Sequence, residues 1–478
     1  MGPALALRSS SEAAADAAIP DIQGPTGNGW YPSSDLPAHS TPWIETTVSR
    51  QNSNGQTRRI RIIDIVRGVA VLGILTINLV DMAYPEDLAL AFHLTDPERG
   101  WNYWTGLSLE TIFSGKMRGL FTLLFGVSSI LIVEKLSCRY DGPAVARIYF
   151  RRLFWLLMFG LLNAYVFLWW GDVLFKYALL GMLLYAFRQA SFGVLTAAVL
   201  VCLTVLTVQP FADYRETANL QQDAMELRKQ QESGERLTAD DRDVIADWRD
   251  TRDDLWPDDE LIEDEMEIKT GRYGEIFQYN AEYVLEEYTS VFYQEDLWDM
   301  MPYMLLGIML LRMGFFDERT KQGVHFAIAF VGIGTGLATH AWMNLGLQEN
   351  PLDPVNSFYY RIFFDLGRLP FVLGYLSLII FVFRMPIFRR IGDGMSATGR
   401  MALSNYLMQS ILAAFLLYGF GLGQFNQLRR LDLAMVIIVV WILQIGFSVF
   451  WMRRFHYGPF EWLWRSLTYW QAQSLRKT

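Results

Sequence analysis

The chain has 478 residues, of which 52% are hydrophobic, 15% aromatic and only 19% charged, with a formal net charge of −9. A soluble globular protein carries about a quarter of its residues as Asp, Glu, Lys and Arg. The shortfall, and the long uncharged runs it leaves, exclude an ordinary soluble enzyme or a nucleic-acid-binding protein. They point to an all-α polytopic membrane protein whose first partner is the lipid bilayer.

In chain order, residues 1–57 are rich in Ser, Ala, Pro and Gly and lack an apolar stretch behind a basic start. They read as a disordered cytoplasmic tail rather than a cleaved signal. Ten apolar segments follow, each about 17–25 residues and long enough to span. They are 63–84, 110–134, 153–170, 172–188, 191–209, 297–314, 323–345, 366–384, 401–421 and 432–452. The third and fourth share a tight turn at Gly171-Asp172 and read equally as a tilted hairpin. The division is a first bundle of about five helices over 58–209, an insertion over 210–296, a second bundle of about five over 297–452, and a carboxyl segment over 453–478.

Basic residues set the orientation. Arg58, Arg59 and Arg61, then Lys135, Arg139, Arg147, Arg151 and Arg152, then Arg188, then Arg312, Arg319 and Lys321, then Arg384, Arg389, Arg390 and Arg400 fall in alternate connections. The other connections hold only Arg99, Arg361, Arg429 and Arg430. By the positive-inside rule both termini are cytoplasmic. The insertion 210–296 then lies outside. It contains 26 Asp and Glu against 9 Lys and Arg, a charge of −17, which leaves +8 for the remainder. Helix formers with charges at three and four spacing make it a solvated helical hairpin, and the aromatic stretch 270–283 is expected to fold back onto the membrane surface. Cys138, in a basic connection, and Cys202, in an apolar run, are not placed to bridge. No C-x-x-C, H-E-x-x-H or His-rich spacing offers a metal site, so no metal is expected.

Polar residues inside apolar runs are costly and mark function by default. On a helical wheel Asp64, Arg67, Asn78 and Asp81 share one face of the first segment, as expected of a helix lining a cavity. Asp64 and Arg67, at i and i+3, are expected to pair. Lys116 and Arg118 lie within the second segment and need an anion, either Asp81, Asp172 or a ligand. Asp172 and Lys176, at i and i+4, can satisfy each other. Asn405 and Gln409 share a face and read as interhelical hydrogen-bonding residues or as substrate contacts. His340 is read as the one histidine inside a span, a candidate general base, with His93 in the first outer connection a weaker one. Gly332, Gly334 and Gly336 form a helix-packing face rather than a phosphate loop, since no strand precedes them. The carboxyl segment, dense in Trp and Tyr beside cations, reads as an interfacial helix with Glu461 and Arg465 paired at i and i+4.

"RIIDIVRGVAVLGILTIN", "FSGKMRGLFTLLFGVSSIL", "RRLFWLLMFGLLNAYVFLWWGDVLFKYALLG", "GRMALSNYLMQS" and "RRFHYGPFEWLWRSLTYW" together resemble the YeiB-like family of bacterial inner-membrane proteins, a domain of unknown function. The resemblance covers most of residues 58–470. It implies kinship with a transmembrane acyl-transferase superfamily through the D-x-x-R-G opening, met by Asp64, Arg67 and Gly68. In that superfamily acyl-CoA is taken from the cytoplasmic side and the acyl group passes to an acceptor across the membrane. The chain departs from the pattern at two places. "WNYWTGLSLETIF" has Trp101 and Asn102 where the glucosaminide enzymes carry a catalytic histidine before W-x-G, and Asn163 stands where relatives often have His.

The expectation is therefore an acyltransferase with acyl-CoA as donor and a hydroxyl or amine of unknown identity as acceptor. Arg58, Arg59, Arg61, Arg151 and Arg152 would attract the donor phosphates, with Asp64 and Arg67 organising the donor tunnel. Lys116 or Arg118 would stabilise the oxyanion and His340 or Asp81 would act as base. Asn78, Asn163, Asp172, Asn405 and Gln409 complete the substrate-binding set. A carrier using the same stripe as a path is the alternative, and an envelope scaffold a third. Homo-oligomerisation is left open.

Overall fold

The computed structural model describes residues 61–89, 98–253, 259–350 and 353–477. The tail 1–57, with Arg58 and Arg59 after it, and His93 lie outside the described residues. Among these, every regular element is helical, apart from an isolated bridge between Phe455 and Arg476.

In order, α1 runs Arg61–Ala83, α2 Trp101–Phe113, α3 Lys116–Ser137 and α4 Gly142–Leu161. A wide π-helical turn, Leu162–Val166, and an irregular stretch lead to α5 at Leu174–Leu184. Next come α6 at Phe192–Glu232, α7 at Ala239–Asp253, α8 at Asp259–Thr270 and α9 at Tyr273–Glu286. A second π-helical segment, Glu287–Asp296, runs straight into α10 at Leu297–Arg312. The chain ends with α11 at Gln322–Glu349, α12 at Pro354–Phe383, α13 at Arg389–Arg400, α14 at Ala402–Leu417, α15 at Arg430–Arg454 and α16 at Pro459–Tyr469.

Six helical stretches are long and apolar enough to cross a bilayer: α1, the α2–α3 stretch Trp101–Ser137, α6, α11, α12 and α15. The protein is a multi-pass helical membrane protein. Four expected segments take another form. Those at 172–188, 297–314 and 401–421 become α5, α10 and α14, with 11, 16 and 16 residues. The segment at 153–170 becomes α4, which begins earlier at Gly142 and takes in Arg147, Arg151 and Arg152. The π-helical turn Leu162–Val166 comes before the turn at Trp170-Gly171. On the other side, α12 starts at Pro354, well before the expected 366, because Asp353 accepts a hydrogen bond from the Val355 amide and Pro354 fits the first helical position.

The cysteines are both free, Cys138 exposed and Cys202 buried. The polar stretch "RRIGDGMSATGR" forms α13, an amphipathic helix lodged between α1 and α15. Its approach to α1 explains the glycine of D-x-x-R-G. A Cβ on Gly68 would run into the carbonyl of Met395, and one on Gly399 into the carbonyl of Asp64. Only glycine permits that backbone-on-backbone contact. Gly332 and Gly336 do the same between α11 and α12, against the Pro370 carbonyl and the Phe371 side chain. Gly334 has open space beside it. The expected three-glycine face is thus two glycines at i, i+4, because the third lies on another side of the helix.

Basic residues at the Arg61 end of the bundle close helix ends. Arg312 donates to the carbonyls of Arg188 and Ala190, and Arg384 to those of Asp317 and Thr320. Arg61 reaches the Arg389 carbonyl at 3.1 Å and Asp393 at 2.6 Å. Arg312 thereby meets the carbonyl end of the short helix Tyr185–Gln189, where positive charge is favourable.

The expected outcome for this packing is asymmetric. Gly399→Val should lower stability by about 1–3 kcal/mol through overpacking, and Gly334→Val by much less. Unfolding of the detergent-solubilised variants reads the difference.

Candidate functional site

The span Trp101–Ser137 is broken at Ser114-Gly115. Gly115 has φ +69°, and a Cβ there would sit 2.9 Å from Cδ of Arg368. The left-handed turn and the crowding both call for glycine. The break lies at mid-depth of α1. The Phe113 ring is 6.2 Å from Trp441, whose indole N–H donates to the Leu72 carbonyl, and the Met117 side chain abuts Gly73. Irregular backbone at such a depth is tolerated only inside protein or facing a cavity, and broken helices of this kind frame binding sites in membrane proteins.

Lys116, fully buried, opens α3 at this break. It and Arg118 were expected within a continuous helix; Gly115 instead starts a new one directly before them. The Lys116 ammonium donates to the Glu110 carbonyl at 3.3 Å and lies 5.5 Å from the Phe364 ring and 5.9 Å from that of Phe371. Its charge reaches both the Glu110 carboxylate and His340. His340 is fully buried, its ring edge-on to Phe364 at 5.2 Å. Lys116 and His340, predicted from separate segments, therefore lie against the same Phe364 ring. His340 is not the sole histidine of its helix: His325 is also in α11, buried with its ring 4.7 Å from that of Phe315.

A chain of ion pairs continues from Arg118. Its guanidinium meets Asp299 at 2.9 Å and Asp296 at 3.8 Å. Asp296 also meets Lys176 at 2.5 Å, and Lys176 pairs with Glu287. Asp299 pairs with Arg368, which holds Asp365 at 2.5 Å. Among the described residues the network sets three cations against four carboxylates. Lys176 and Arg368 are 4% and 2% exposed, so these charges depend on one another rather than on water. The anions for Arg118 are Asp296 and Asp299, not Asp81 or Asp172.

Asp172 sits beside this network with neutral donors. Asn163 from the π-helical turn donates at 2.9 Å and the Phe175 amide at 3.0 Å, while the hydroxyls of Tyr406 and Tyr288 lie at 3.3 and 3.4 Å. The expected Asp172–Lys176 ion pair does not form. Helix α5 starts only at Leu174, so Asp172 caps its amino end instead of lying one turn from Lys176 on its surface. Both π-helical segments carry residues of this site, a placement that such wide turns often have.

The stripe on α1 divides by distance. Asp64 and Arg67 pair at 3.4 Å, and Arg67 donates to Ser128 of α3 at 2.5 Å. Asp64 is 4% exposed, turned into the bundle. Asn78 and Asp81 are half-buried further up. Seventeen residues of helix separate Asp64 from Asp81 by about 25 Å, too far for one site. Asn405 and Gln409 bind helices: Asn405 donates to Ser448 at 3.1 Å, and Gln409 to the Val71 carbonyl at 3.1 Å and to Gln444 at 2.9 Å. Asn102 accepts from the Leu431 amide at 3.3 Å, while Trp101 is exposed.

Arg151 and Arg152 face the carboxyl segment, 5.8 Å from the Trp470 ring and 3.5 Å from the Trp464 ring. Glu461 and Arg465 do not pair. Glu461 accepts from the Ser404 amide at 3.0 Å and its hydroxyl at 2.5 Å, and desolvation there holds its carboxyl above the usual range against those bonds. Arg465 lies over Tyr457 and Tyr469. Two fixed donors on α14 outcompete a flexible pair on an amphipathic surface.

Glu110, Glu287, Tyr288, Asp296, Asp299, Asp365, Arg368 and Tyr406 are the functional candidates that sequence reasoning missed. One signal was available. Asp365 and Arg368 repeat the D-x-x-R spacing of Asp64 and Arg67, but fell across the expected start of a segment at 366.

Residues 310–471 match the family model described as "Protein of unknown function (DUF418)". The chain is 27% identical to the uncharacterized protein YxaH of Bacillus subtilis (strain 168) over 429 residues, covering 88% of this chain and 96% of that one. It is 28% identical to the uncharacterized protein YeiB of Escherichia coli (strain K12) over 416 residues, 85% of this chain and 95% of that one. These matches support a YeiB-like family. An uncharacterized 39.9 kDa protein encoded in the amylase 3′ region of Bacillus acidopullulyticus is 24% identical over 86% of this chain and 94% of its own length. No solved structure matches. The match to the DUF418 model begins near the end of α10 and takes in the Asp365–Arg368 pair and His340, while the ion network also draws on α3, α5 and the π-helical segment before α10.

Breaking the network on one side should be costly. Lys176→Met is expected to destabilise by roughly 3–5 kcal/mol, the cost of stranding a buried charge. Adding Glu287→Gln and Asp296→Asn should return part of that loss. A mutant cycle followed by unfolding in lipid nanodiscs measures the coupling.

Proposed function

We propose that this protein is an acyl-CoA-dependent acyltransferase of the bacterial inner membrane, with both termini in the cytoplasm. On this reading α4, α5, α10 and α14 complete about ten spans and the acidic helices stand outside. The observation that carries the proposal is the placement of Lys116 and His340 against one ring, Phe364, beside a helix broken at mid-depth. An acceptor hydroxyl or amine bound there would give its proton to the imidazole as its heteroatom attacks the thioester carbonyl. The Lys116 ammonium and the free amides at the start of α3 would face the oxyanion that forms. Collapse expels the CoA thiolate, which takes the proton back from the imidazolium. A thioester is reactive enough that base and positioning suffice, with no covalent enzyme intermediate.

One observation favours a carrier instead. The network around Asp296 and Asp299 contains more carboxylates than cations, and Asp172 adds another beside it. Intramembrane acids of this kind serve as proton or ion relays in transporters.

Radiolabelled acetyl-CoA distinguishes the two. Purified protein in nanodiscs should transfer the label to an acceptor or hydrolyse it slowly. His340→Ala should lower the rate by about 10²–10⁴-fold, with Asp64→Asn and Arg67→Gln also impaired. Absence of both CoA binding and turnover would remove the enzyme reading; binding without turnover would leave the carrier.

A further inference from the structure

We infer that Arg67, Arg152 and Arg465 form a binding site for a phosphate-bearing anion at the Arg61 end of the bundle. The three come from α1, α4 and α16. Arg152 lies within electrostatic reach of both Arg465 and Arg67. The carboxyl helix holds it there: the Trp464 indole N–H donates to the Arg152 carbonyl at 2.8 Å, and the same ring lies 3.5 Å from its guanidinium carbon. Arg465 is flanked by the rings of Tyr457 at 4.8 Å and Tyr469 at 5.7 Å, and its Nε is buried without a hydrogen-bond partner.

What sets this cluster apart is the lack of compensation. Arg61, Arg312 and Arg384 are tied to carbonyls or a carboxylate, and Arg118 and Arg368 to carboxylates. Among the described residues Arg152 and Arg465 make no ion pair, and the acid nearest to Arg465 in sequence, Glu461, is engaged by Ser404. Arg67 has Asp64, which neutralises one charge of three. Like charges gathered beside aromatic faces repel one another unless an anion joins them. Guanidinium edges supply paired N–H donors that match phosphate oxygens. The phosphate can belong to a soluble nucleotide or to a lipid headgroup. The inference does not rest on acyl transfer: phosphate binding without transfer would remove the enzyme reading alone.

The test uses the full chain in phosphatidylcholine nanodiscs, with inorganic phosphate and adenosine 3′,5′-bisphosphate as soluble probes and phosphatidylglycerol discs as the lipid arm. Calorimetry should show one of the phosphate sources binding, with affinity falling at least tenfold in Arg152→Gln and in Arg465→Gln and less in Arg465→Lys. Loss of soluble-probe binding in phosphatidylglycerol discs would assign the site to a headgroup; its retention would assign it to a soluble phosphate. Without any substitution, the bound source should protect Arg465 from phenylglyoxal, read by mass spectrometry. The site is overturned if neither source binds, if both variants bind like the unaltered protein, or if Arg465 gains no protection.

Discussion

Lys176, almost wholly removed from water, is held between Glu287 and Asp296. A buried ammonium without counter-charge costs several kcal/mol, and so does a buried carboxylate. Each side of this contact therefore requires the other. Because the carboxylates arrive on the π-helical segment that precedes α10, the contact fixes that segment against α5. Asp299 and the Arg118 and Arg368 pairs follow from the same placement, one helical turn on. So do Tyr288 and its hydrogen bond to Asp172. The helix break at Gly115 belongs to this constraint too, since a Cβ there would crowd the Arg368 stem.

The acidic part of the chain consequently has two characters. Helix α7 and the far half of α6 carry charges that face outward, with Trp248 and Ala224 buried in their contact. Helices α8 and α9 turn back. Asn280 donates to the Leu168 carbonyl, Tyr273 to the Val166 carbonyl, and Lys269 to Asn280 beside Tyr279 and Tyr418. The aromatic stretch 270–283 is bonded to the irregular chain after α4. What looked like one solvated block is a polar hairpin joined to a docking element.

What the sequence discloses about the site depends on how local each contact is. The Asp64–Arg67 pair was legible because i, i+3 spacing on one helix leaves little choice. Its glycine was legible only as part of a motif, since the reason for it, the backbone of α13, comes more than 300 residues later. The i, i+4 readings for Asp172–Lys176 and Glu461–Arg465 failed in two different ways. The first assumed a helix that had not yet begun, and the second ignored amide and hydroxyl donors brought in by another helix. The partners of Arg118 and Lys176 lie more than 100 residues away, and no periodicity reports such a distance. The apolar segments were legible as the long helices, whereas α5, α10 and α14 are apolar but shorter, with 11, 16 and 16 residues.

Helix α6 has one more implication. Its 41 residues form a rod of about 60 Å, roughly twice the thickness of a hydrocarbon slab, interrupted only by Pro210. The usual tilts of a spanning helix, up to about 40°, leave part of such a rod beyond the slab, and the charges from Asp213 onward lie on the half that would bear the cost of burial in it. The chain must climb to the tip before α7 brings it down again. The length of α6 thereby sets how far the polar hairpin reaches from the apolar half of the same helix.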